Sequence, residues 1–316
     1  MTRHRFLING ICSAILNNVS SRIRTNYSQS SSKMPHASVN GHQLHYFDSH
    51  ALNQAPSSPL PIVMVHGLGS SQNYWMPVIS QLASTYRCIA LDSYGAGRSK
   101  SNGEKVTLEG LAEDVIGLMD SLSIQKAIIA GHSMGGTITC IIASQHPERV
   151  AGIVPVGPVN PGSVKPEMFN SRIETALKGA FICELTNHDR VLSNCLDGME
   201  PMANTIPTAA TSQKTSSLSR GFIRELILAS NPQGYASHCQ AIVDAKEPEF
   251  AAVKAPVCIL AGDEDRSAPL EGCKYIYEHI GSSKRDLKVL DACGHWHCVE
   301  VPEKVAEEIG AFCSSL

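Results

Sequence analysis

The chain has 316 residues, of which 43% are hydrophobic and 17% are charged, a composition that excludes a disordered chain and allows a large buried core. It contains no uninterrupted apolar run of about 18 residues, so no membrane-spanning helix is expected. The formal net charge is −3, but residues 1–33 hold five of the 26 basic residues and none of the 29 acids. The remainder is acidic and has no basic patch, which argues against nucleic-acid binding.

The first 33 residues are rich in Arg and Ser and include an apolar stretch at residues 6–16. This composition predicts a mitochondrial transit peptide, because Asn and Gly interrupt the apolar stretch that a secretory signal would need. A dispensable extension is the alternative, since the chain from Met34 reads as the start of a folded domain. The expected location is mitochondrial or cytoplasmic. The C-terminal Ser-Ser-Leu only distantly resembles the peroxisomal signal Ser-Lys-Leu, so peroxisomal import is not expected.

From residue 38 onward, short apolar runs alternate with helical patterns. A hairpin that turns at Asn40 and Gly41 is predicted first. The predicted strands that follow cover residues 61–65, 86–91, 126–130 and 150–156, and the predicted helices cover residues 74–83, 107–122 and 134–145. Such alternation is typical of an α/β fold with a mostly parallel, doubly wound sheet and helices on both faces.

Residues 158–250 interrupt this alternation. They contain no clear strand pattern, and helices are predicted at residues 166–179, 219–229 and 234–245. The alternation resumes with segments at residues 257–261, 270–280, 287–290 and 302–312. We therefore predict a core built from residues 34–157 and 251–316, an inserted helical cap at residues 158–250, and an extension at residues 1–33 outside the fold.

The eleven cysteines form no Cys-x-x-Cys pair and fit no zinc-site spacing. Cys293 and Cys298 flank His295 and His297, which is a weak metal pattern. Reduced, buried thiols are expected instead, with no metal site.

A Gly-x-Ser-x-Gly motif occupies residues 131–135, between a predicted strand and a predicted helix. In this context the motif places a serine, here Ser133, on a sharp and strained turn whose flanking residues must be very small. The N-terminus of the following helix favours negative charge that develops nearby. Ser133 is therefore the predicted nucleophile.

A second loop is expected to face this serine. Residues 66–69, His-Gly-Leu-Gly, follow the strand predicted at residues 61–65. We assign the oxyanion hole to the backbone amides of Leu68 and Met134. His66 is interpreted as a structural hydrogen-bonding residue.

The acid and the base should follow the serine in chain order. Asp265 comes just after one predicted strand, and His295 comes just after the next. The histidine would take the serine proton, and the carboxylate would fix its tautomer and stabilise its charged form. Asp263 and His297 are the alternatives.

Six segments in the same order resemble the α/β-hydrolase superfamily. They are His-Gly-Leu-Gly (66–69), Leu-Asp-Ser-Tyr-Gly-Ala-Gly-Arg-Ser (91–99), Gly-His-Ser-Met-Gly-Gly (131–136), His-Pro-Glu-Arg-Val (146–150), Gly-Asp-Glu-Asp (262–265) and Gly-His-Trp-His-Cys-Val-Glu-Val-Pro-Glu (294–303). Within the superfamily, residues 231–242 and Trp75 are most similar to 3-oxoadipate enol-lactonase-type hydrolases. The resemblance implies an α/β-hydrolase fold with a helical cap.

A serine at position 133 disfavours epoxide hydrolase and haloalkane dehalogenase chemistry, which need a carboxylate nucleophile. The expected function is hydrolysis of a small carboxylic ester or lactone through an acyl-enzyme on Ser133, without a metal or organic cofactor. Carbon–carbon bond hydrolysis and acyl transfer with the same triad are the alternatives, followed by a ligand receptor with a slow triad. Nothing in the sequence indicates the oligomeric state.

Overall fold

An eight-stranded sheet forms the centre of the computed structural model, which describes residues 35–52, 58–185 and 198–316. The strands are β1 (His36–Val39), β2 (His42–Asp48), β3 (Ile62–Val65), β4 (Cys88–Leu91), β5 (Ala127–His132), β6 (Val150–Val156), β7 (Val257–Gly262) and β8 (Arg285–Leu290). Their order across the sheet is β1-β2-β4-β3-β5-β6-β7-β8. β1 and β2 pair antiparallel, β2 pairs antiparallel with β4, and all the other pairs are parallel. The predicted mostly parallel sheet is confirmed.

The helices between β1 and β6 and after β7 cover the sheet. They are α1 (Met76–Leu82), α2 (Leu108–Ser121), α3 (Met134–Gln145), α8 (Leu270–His279), α9 (His297–Glu300) and α10 (Pro302–Ser314). The described residues between β6 and β7 form four α-helices, namely α4 (Pro166–Leu185), α5 (Glu200–Ala209), α6 (Ser217–Leu228) and α7 (Pro232–Asp244). Residues 158–185 and 198–250 contain no strand.

Local sequence explains several boundaries. Asn40 and Gly41, with φ of 49° and 83°, adopt the left-handed conformation that a two-residue hairpin turn requires. The side chain of Thr107 accepts a hydrogen bond from the backbone N–H of Gly110 and so caps α2. Asn231 caps α7 in the same way, and Pro232 occupies its first turn, where no N–H is needed.

Two shifted boundaries and one missed helix have local physical reasons. The helix predicted from residue 74 begins at Met76, because residues 72–75 form a separate 3₁₀ turn capped by Ser71. Helix α5 was not predicted, since Pro207 and several β-branched or polar residues lower its helix propensity. Strand β8 begins two residues before its prediction, because its exposed edge position admits polar residues that an apolar pattern misses.

The predicted targeting extension, residues 1–33, lies outside the described residues and stays a prediction. Eight cysteines of the described ranges are buried and form no disulfide, namely Cys88, Cys140, Cys239, Cys258, Cys273, Cys293, Cys298 and Cys313. No helix in those ranges is both long enough and apolar enough to cross a membrane.

The loops that follow the parallel strands meet at one edge of the sheet, because parallel strands end on the same side. Residues 66–69 follow β3, Ser133 follows β5, Asp265 follows β7 and His295 follows β8. The topology therefore gathers at one edge all the side chains singled out by sequence.

Candidate active site

Ser133 occupies a strained position between β5 and α3. Its φ of 55° is unusual for a residue with a side chain, and its N–H donates to the Val156 carbonyl at 2.9 Å. A Cβ atom on Gly131 would lie 2.1 Å from the Gly135 carbonyl oxygen, and one on Gly135 would lie 2.3 Å from that of Val65. Both motif glycines are thus required by close backbone contact, and this contact holds the serine at the tip of the turn.

A continuous chain of hydrogen bonds joins three of the predicted site residues. The Ser133 Oγ lies 2.9 Å from Nε2 of His295, and Nδ1 of the same ring lies 2.8 Å from Oδ2 of Asp265. The other carboxylate oxygen accepts from the N–H groups of Ser267 and Ala268, each at 2.8 Å. The Asp265 carboxylate is therefore fully occupied and held in a fixed orientation.

The charge state of this carboxylate fixes the histidine tautomer. Burial alone would raise the pKa of Asp265, but the His295 ring and the backbone N–H of Ala268 outweigh burial and lower it below its ordinary value. An ionised carboxylate can only accept, so Nδ1 of His295 carries the proton. Nε2 is then free to accept from the Ser133 hydroxyl, which is the geometry that a general base needs.

The two alternative site residues are held elsewhere. Asp263 is exposed and accepts a hydrogen bond from the backbone N–H of Cys293 at 3.0 Å. His297 is buried, which lowers its pKa, and its Nδ1 donates to the carbonyl oxygen of His295 at 2.9 Å. The structure brings His295, and not His297, into contact with Ser133.

His66 supports the loop that faces the serine. It is fully buried, and its Nε2 accepts from the Ser93 N–H at 3.0 Å while Nδ1 donates to the Gly67 carbonyl at 2.7 Å. Both ring nitrogens are occupied, so His66 cannot act as a base. Its hydrogen bonds link the backbone of Gly67, in the loop after β3, to the backbone of Ser93, in the loop after β4.

The two amides assigned to the oxyanion hole border the serine. Met134 is the first residue of α3, where the N–H has no partner inside the helix, and Leu68 lines the same cavity as Ser133. Within the described chain, neither N–H donates to a protein acceptor. Both donors are therefore available to an anion next to the serine.

Sequence reasoning missed the role of His132. Its Nε2 donates to the carbonyl oxygen of His295 at 2.7 Å, and its ring stacks on Tyr74 with centroids 4.2 Å apart. Burial lowers the pKa of His132 well below its ordinary value, as do the neighbouring His295 and His297. A neutral His132 thus helps to position the backbone of His295. No sequence signal indicated this role, because His132 occupies a variable position of the Gly-x-Ser-x-Gly motif.

Glu300 is a second residue that the sequence did not reveal. Its carboxylate accepts from the backbone N–H groups on both sides of His295, those of Gly294 at 3.1 Å and Trp296 at 2.8 Å. It also accepts from the N–H of Ser212 at 2.7 Å, in the segment between α5 and α6. Glu300 thus fixes the loop that carries His295, although it does not touch the serine.

Replacement of this carboxylate should disturb the base without disturbing substrate binding. In Glu300→Gln an amide NH₂ group would face backbone donors, so the loop should shift. We expect kcat to fall about 10-fold to 100-fold with little change in KM, because small displacements of a reacting group are costly. Steady-state kinetics would test this, with Glu303→Gln, an exposed neighbour on α10, as the control. A kcat for Glu300→Gln within twofold of wild type would contradict the positioning role.

A cavity of about 560 Å³, its open mouth included, reaches Ser133 and His295. The remaining lining is mostly apolar and comes from the loops after β3, β6, β7 and β8 and from α4, α5, α6 and α7. It includes Leu68, Val159, Phe169, Ile206, Ala210, Ile227, Tyr235, Ile242 and Trp296. Among the described residues, no group of three or more Cys, His, Asp or Glu side chains is arranged to hold a metal ion.

Known proteins share both the sequence pattern and the fold. The sequence profile of the alpha/beta hydrolase fold family matches residues 61–302. 3-Oxoadipate enol-lactonase 1 of Acinetobacter baylyi is 29% identical over 268 residues, which cover 83% of this chain and 91% of that protein. A 2-hydroxymuconate semialdehyde hydrolase of a Pseudomonas species is 26% identical over 262 residues, which cover 80% and 86% of the two chains.

The crystal structure of the enol-lactonase from Burkholderia xenovorans LB400 is similar with a TM-score of 0.74 at 24% identity, and the match covers 89% of this chain and all of that one. The resemblance predicted from the sequence motifs is confirmed.

Proposed function

The chain belongs to the alpha/beta hydrolase fold family, and we propose that it is a serine hydrolase that cleaves a carboxylic ester or lactone. One observation carries the proposal: hydrogen bonds of 2.9 Å and 2.8 Å link the Ser133 hydroxyl through His295 to the buried Asp265. This arrangement supplies a nucleophile, a base and a group that orients the base, which together are the requirements of acyl transfer to serine.

In the proposed reaction, the Ser133 Oγ bonds to the substrate carbonyl carbon while its proton passes to Nε2 of His295. The backbone N–H groups of Leu68 and Met134 stabilise the oxyanion that forms. When the carbon–oxygen bond breaks, Nε2 returns the proton to the alkoxide, which remains attached to the acyl chain if the substrate is a lactone. Water then attacks the acyl-enzyme with His295 again acting as the base.

We further propose that residues 158–250 form a cap that closes the cavity over the ends of the strands, on a core of residues 34–157 and 251–316. Phe169, Ile206, Ile227 and Tyr235 support this assignment, because each lies on a different helix between β6 and β7 and each lines the cavity. A cap of this kind would exclude water from the site and select the substrate.

Hydrolysis of a carbon–carbon bond is the second candidate, favoured by the similarity to 2-hydroxymuconate semialdehyde hydrolase. The same three side chains could perform it, or transfer the acyl group to an alcohol. The similarity to an enol-lactonase over a larger share of both chains favours the lactone or ester. A receptor that retains a slow triad is the least favoured alternative.

The proposal is tested by turnover. We expect the wild-type protein to hydrolyse p-nitrophenyl acetate and at least one compound of a lactone panel, and to react covalently with a fluorophosphonate probe. Ser133→Ala should lose both properties. Cleavage of a vinylogous 1,5-diketone without cleavage of any ester or lactone would favour carbon–carbon chemistry. Equal turnover by wild type and Ser133→Ala would contradict the nucleophile assignment.

A further inference from the structure

Strand β8 forms one end of the sheet and has a free outer side. It pairs along its whole length with β7, and in the described parts of the chain no strand lies beyond it. The opposite end of the sheet is β1, which has four residues against the six of β8. Because a free edge can pair with a strand of another chain, β8 is the longer of the two edges at which this protein can add a strand.

Alternate residues of β8 direct their backbone groups away from β7. The carbonyl oxygens of Lys284 and Leu290 accept hydrogen bonds of 2.9 Å and 3.1 Å from β7 and the residue after it. The Leu287 N–H instead donates to the side chain of Asp286 at 2.9 Å. Since bonding direction alternates along a strand, the residues whose N–H and C=O groups face outward are Arg285, Leu287 and Val289.

The side chains of this edge are charged on one face and apolar on the other. Asp286 and Lys288 lie on the same face, where Oδ2 and Nζ are 2.8 Å apart, and both side chains are exposed to solvent. Leu287 and Val289 lie on the other face, and Val289 is 45% exposed. The edge thus offers one charge of each sign and an apolar strip that its own chain leaves partly uncovered.

One register matches both patterns when two copies of β8 pair antiparallel about a two-fold axis. With Leu287 on the axis, every outward-facing residue meets an outward-facing residue of the other copy, which allows about six backbone hydrogen bonds. Asp286 of each copy then lies directly opposite Lys288 of the other, at the distance where cross-strand pairs interact. Moving the axis to residue 286 or 288 places like charges opposite each other and loses some of the hydrogen bonds.

We propose that β8 is the interface of a homodimer, in which two copies pair antiparallel through Arg285–Leu290 and join their sheets into one. Every contact occurs twice, as two-fold symmetry requires. The Leu287 N–H exchanges the Asp286 side chain for the carbonyl oxygen of the other copy, and each Asp286 gains a lysine partner. The same charges oppose the neighbouring registers and discourage pairing with unrelated strands, so they select this dimer over aggregation.

An exchange of charges between two variants tests the interface. In sedimentation equilibrium, full-length wild type should reach twice the monomer mass at about 100 μM, since an interface centred on one strand belongs to the weak class. Asp286→Lys places lysine opposite lysine, and Lys288→Asp places aspartate opposite aspartate, so each variant alone should be monomeric. An equimolar mixture should recover the dimer mass, because every lysine then faces an aspartate.

A matched control separates this interface from a general effect of charge. Lys304→Asp makes the same change at an exposed position of α10, outside β8, and should remain dimeric. A wild type that stays monomeric, or a dimer that persists in both β8 variants, would overturn the proposal. A mixture that stays monomeric, although each variant keeps the wild-type Tm and circular dichroism, would overturn it too.

Cross-linking tests the register without changing any charge. Leu287→Cys would put the two introduced thiols beside the axis, whereas those of Val289→Cys would lie four residues apart along the strands, or about 13 Å. A short bismaleimide should therefore join two copies of Leu287→Cys much faster than two copies of Val289→Cys, with wild type giving the background from the native cysteines. Equal rates for the two variants, or no cross-linking above wild type, would overturn the proposed pairing.

Discussion

Ser133→Ala and His295→Ala should each lower kcat about 10³-fold or more, and the double variant should be little worse than either single one, because the two groups act as one unit. Without the Oγ atom there is no nucleophile, and without the imidazole the hydroxyl keeps its proton. The 2.9 Å contact between these groups is the physical reason for the expected non-additivity. Single-turnover and steady-state rates with p-nitrophenyl acetate would measure the effect.

Controls for this prediction come from the same elements. Ser144→Ala removes a hydroxyl from α3 that donates to the Ile141 carbonyl, away from the site, and should keep wild-type activity. His297→Ala should reduce activity less than His295→Ala, since His297 donates its hydrogen bond to the backbone carbonyl of His295 and does not contact the Ser133 hydroxyl. Activity of Ser133→Ala within tenfold of wild type would refute the nucleophile assignment.

Asp265→Asn should lower kcat on the order of 10³-fold to 10⁴-fold. An asparagine can present its NH₂ group to Nδ1, which would favour the tautomer with the proton on Nε2 and turn that nitrogen from an acceptor into a donor. The Ser133 hydroxyl would then have no base. KM should change much less than kcat, because Asp265 has no exposed side-chain surface and cannot reach the substrate.

Asp263→Asn is the matched control, two residues away. Asp263 is exposed, and its Oδ1 accepts from the Cys293 N–H, which an asparagine oxygen could also do. Activity and Tm should therefore stay near wild type. If Asp263→Asn were inactive and Asp265→Asn were active, the orienting acid would have to be reassigned to the earlier position.

Much of the fold was predictable because its signals are local. Strand β6 and helix α3 have the predicted limits, since each is a continuous apolar or periodic run between clear breaks. The superfamily motifs also predicted which loops meet, because chain order and parallel pairing place them at one edge of the sheet. Helix α5 was missed because its propensity is low and tertiary contacts stabilise it.

The remaining parts of the site depend on contacts that no local pattern encodes. Glu300 lies within a matched motif, but only the folded loop shows its carboxylate between the N–H groups of Gly294 and Trp296. Phe169 and Tyr235 line the same cavity but are more than sixty residues apart, on helices whose packing could not be derived from spacing. Residues of the proposed cap line the cavity as well as packing against one another, so their sequence carries a weaker periodic signal than that of a sheet core.

His295, the proposed base, is partly held by the segment between α5 and α6. The N–H of His295 donates to the Ala210 carbonyl at 2.8 Å, and a Cβ atom on Gly294 would meet the Thr211 backbone at 2.7 Å. These contacts matter to protein engineers who exchange insertions between related scaffolds. They join residues 210 and 211 to the His295 loop, and the sequence alone does not reveal this connection. A chimera that changes the backbone path of residues 210–212 would lose this support of the His295 loop, and activity would fall whatever substrate the new insertion binds. A graft that retains residues 210–212 would keep these contacts while it changes the other residues that line the cavity.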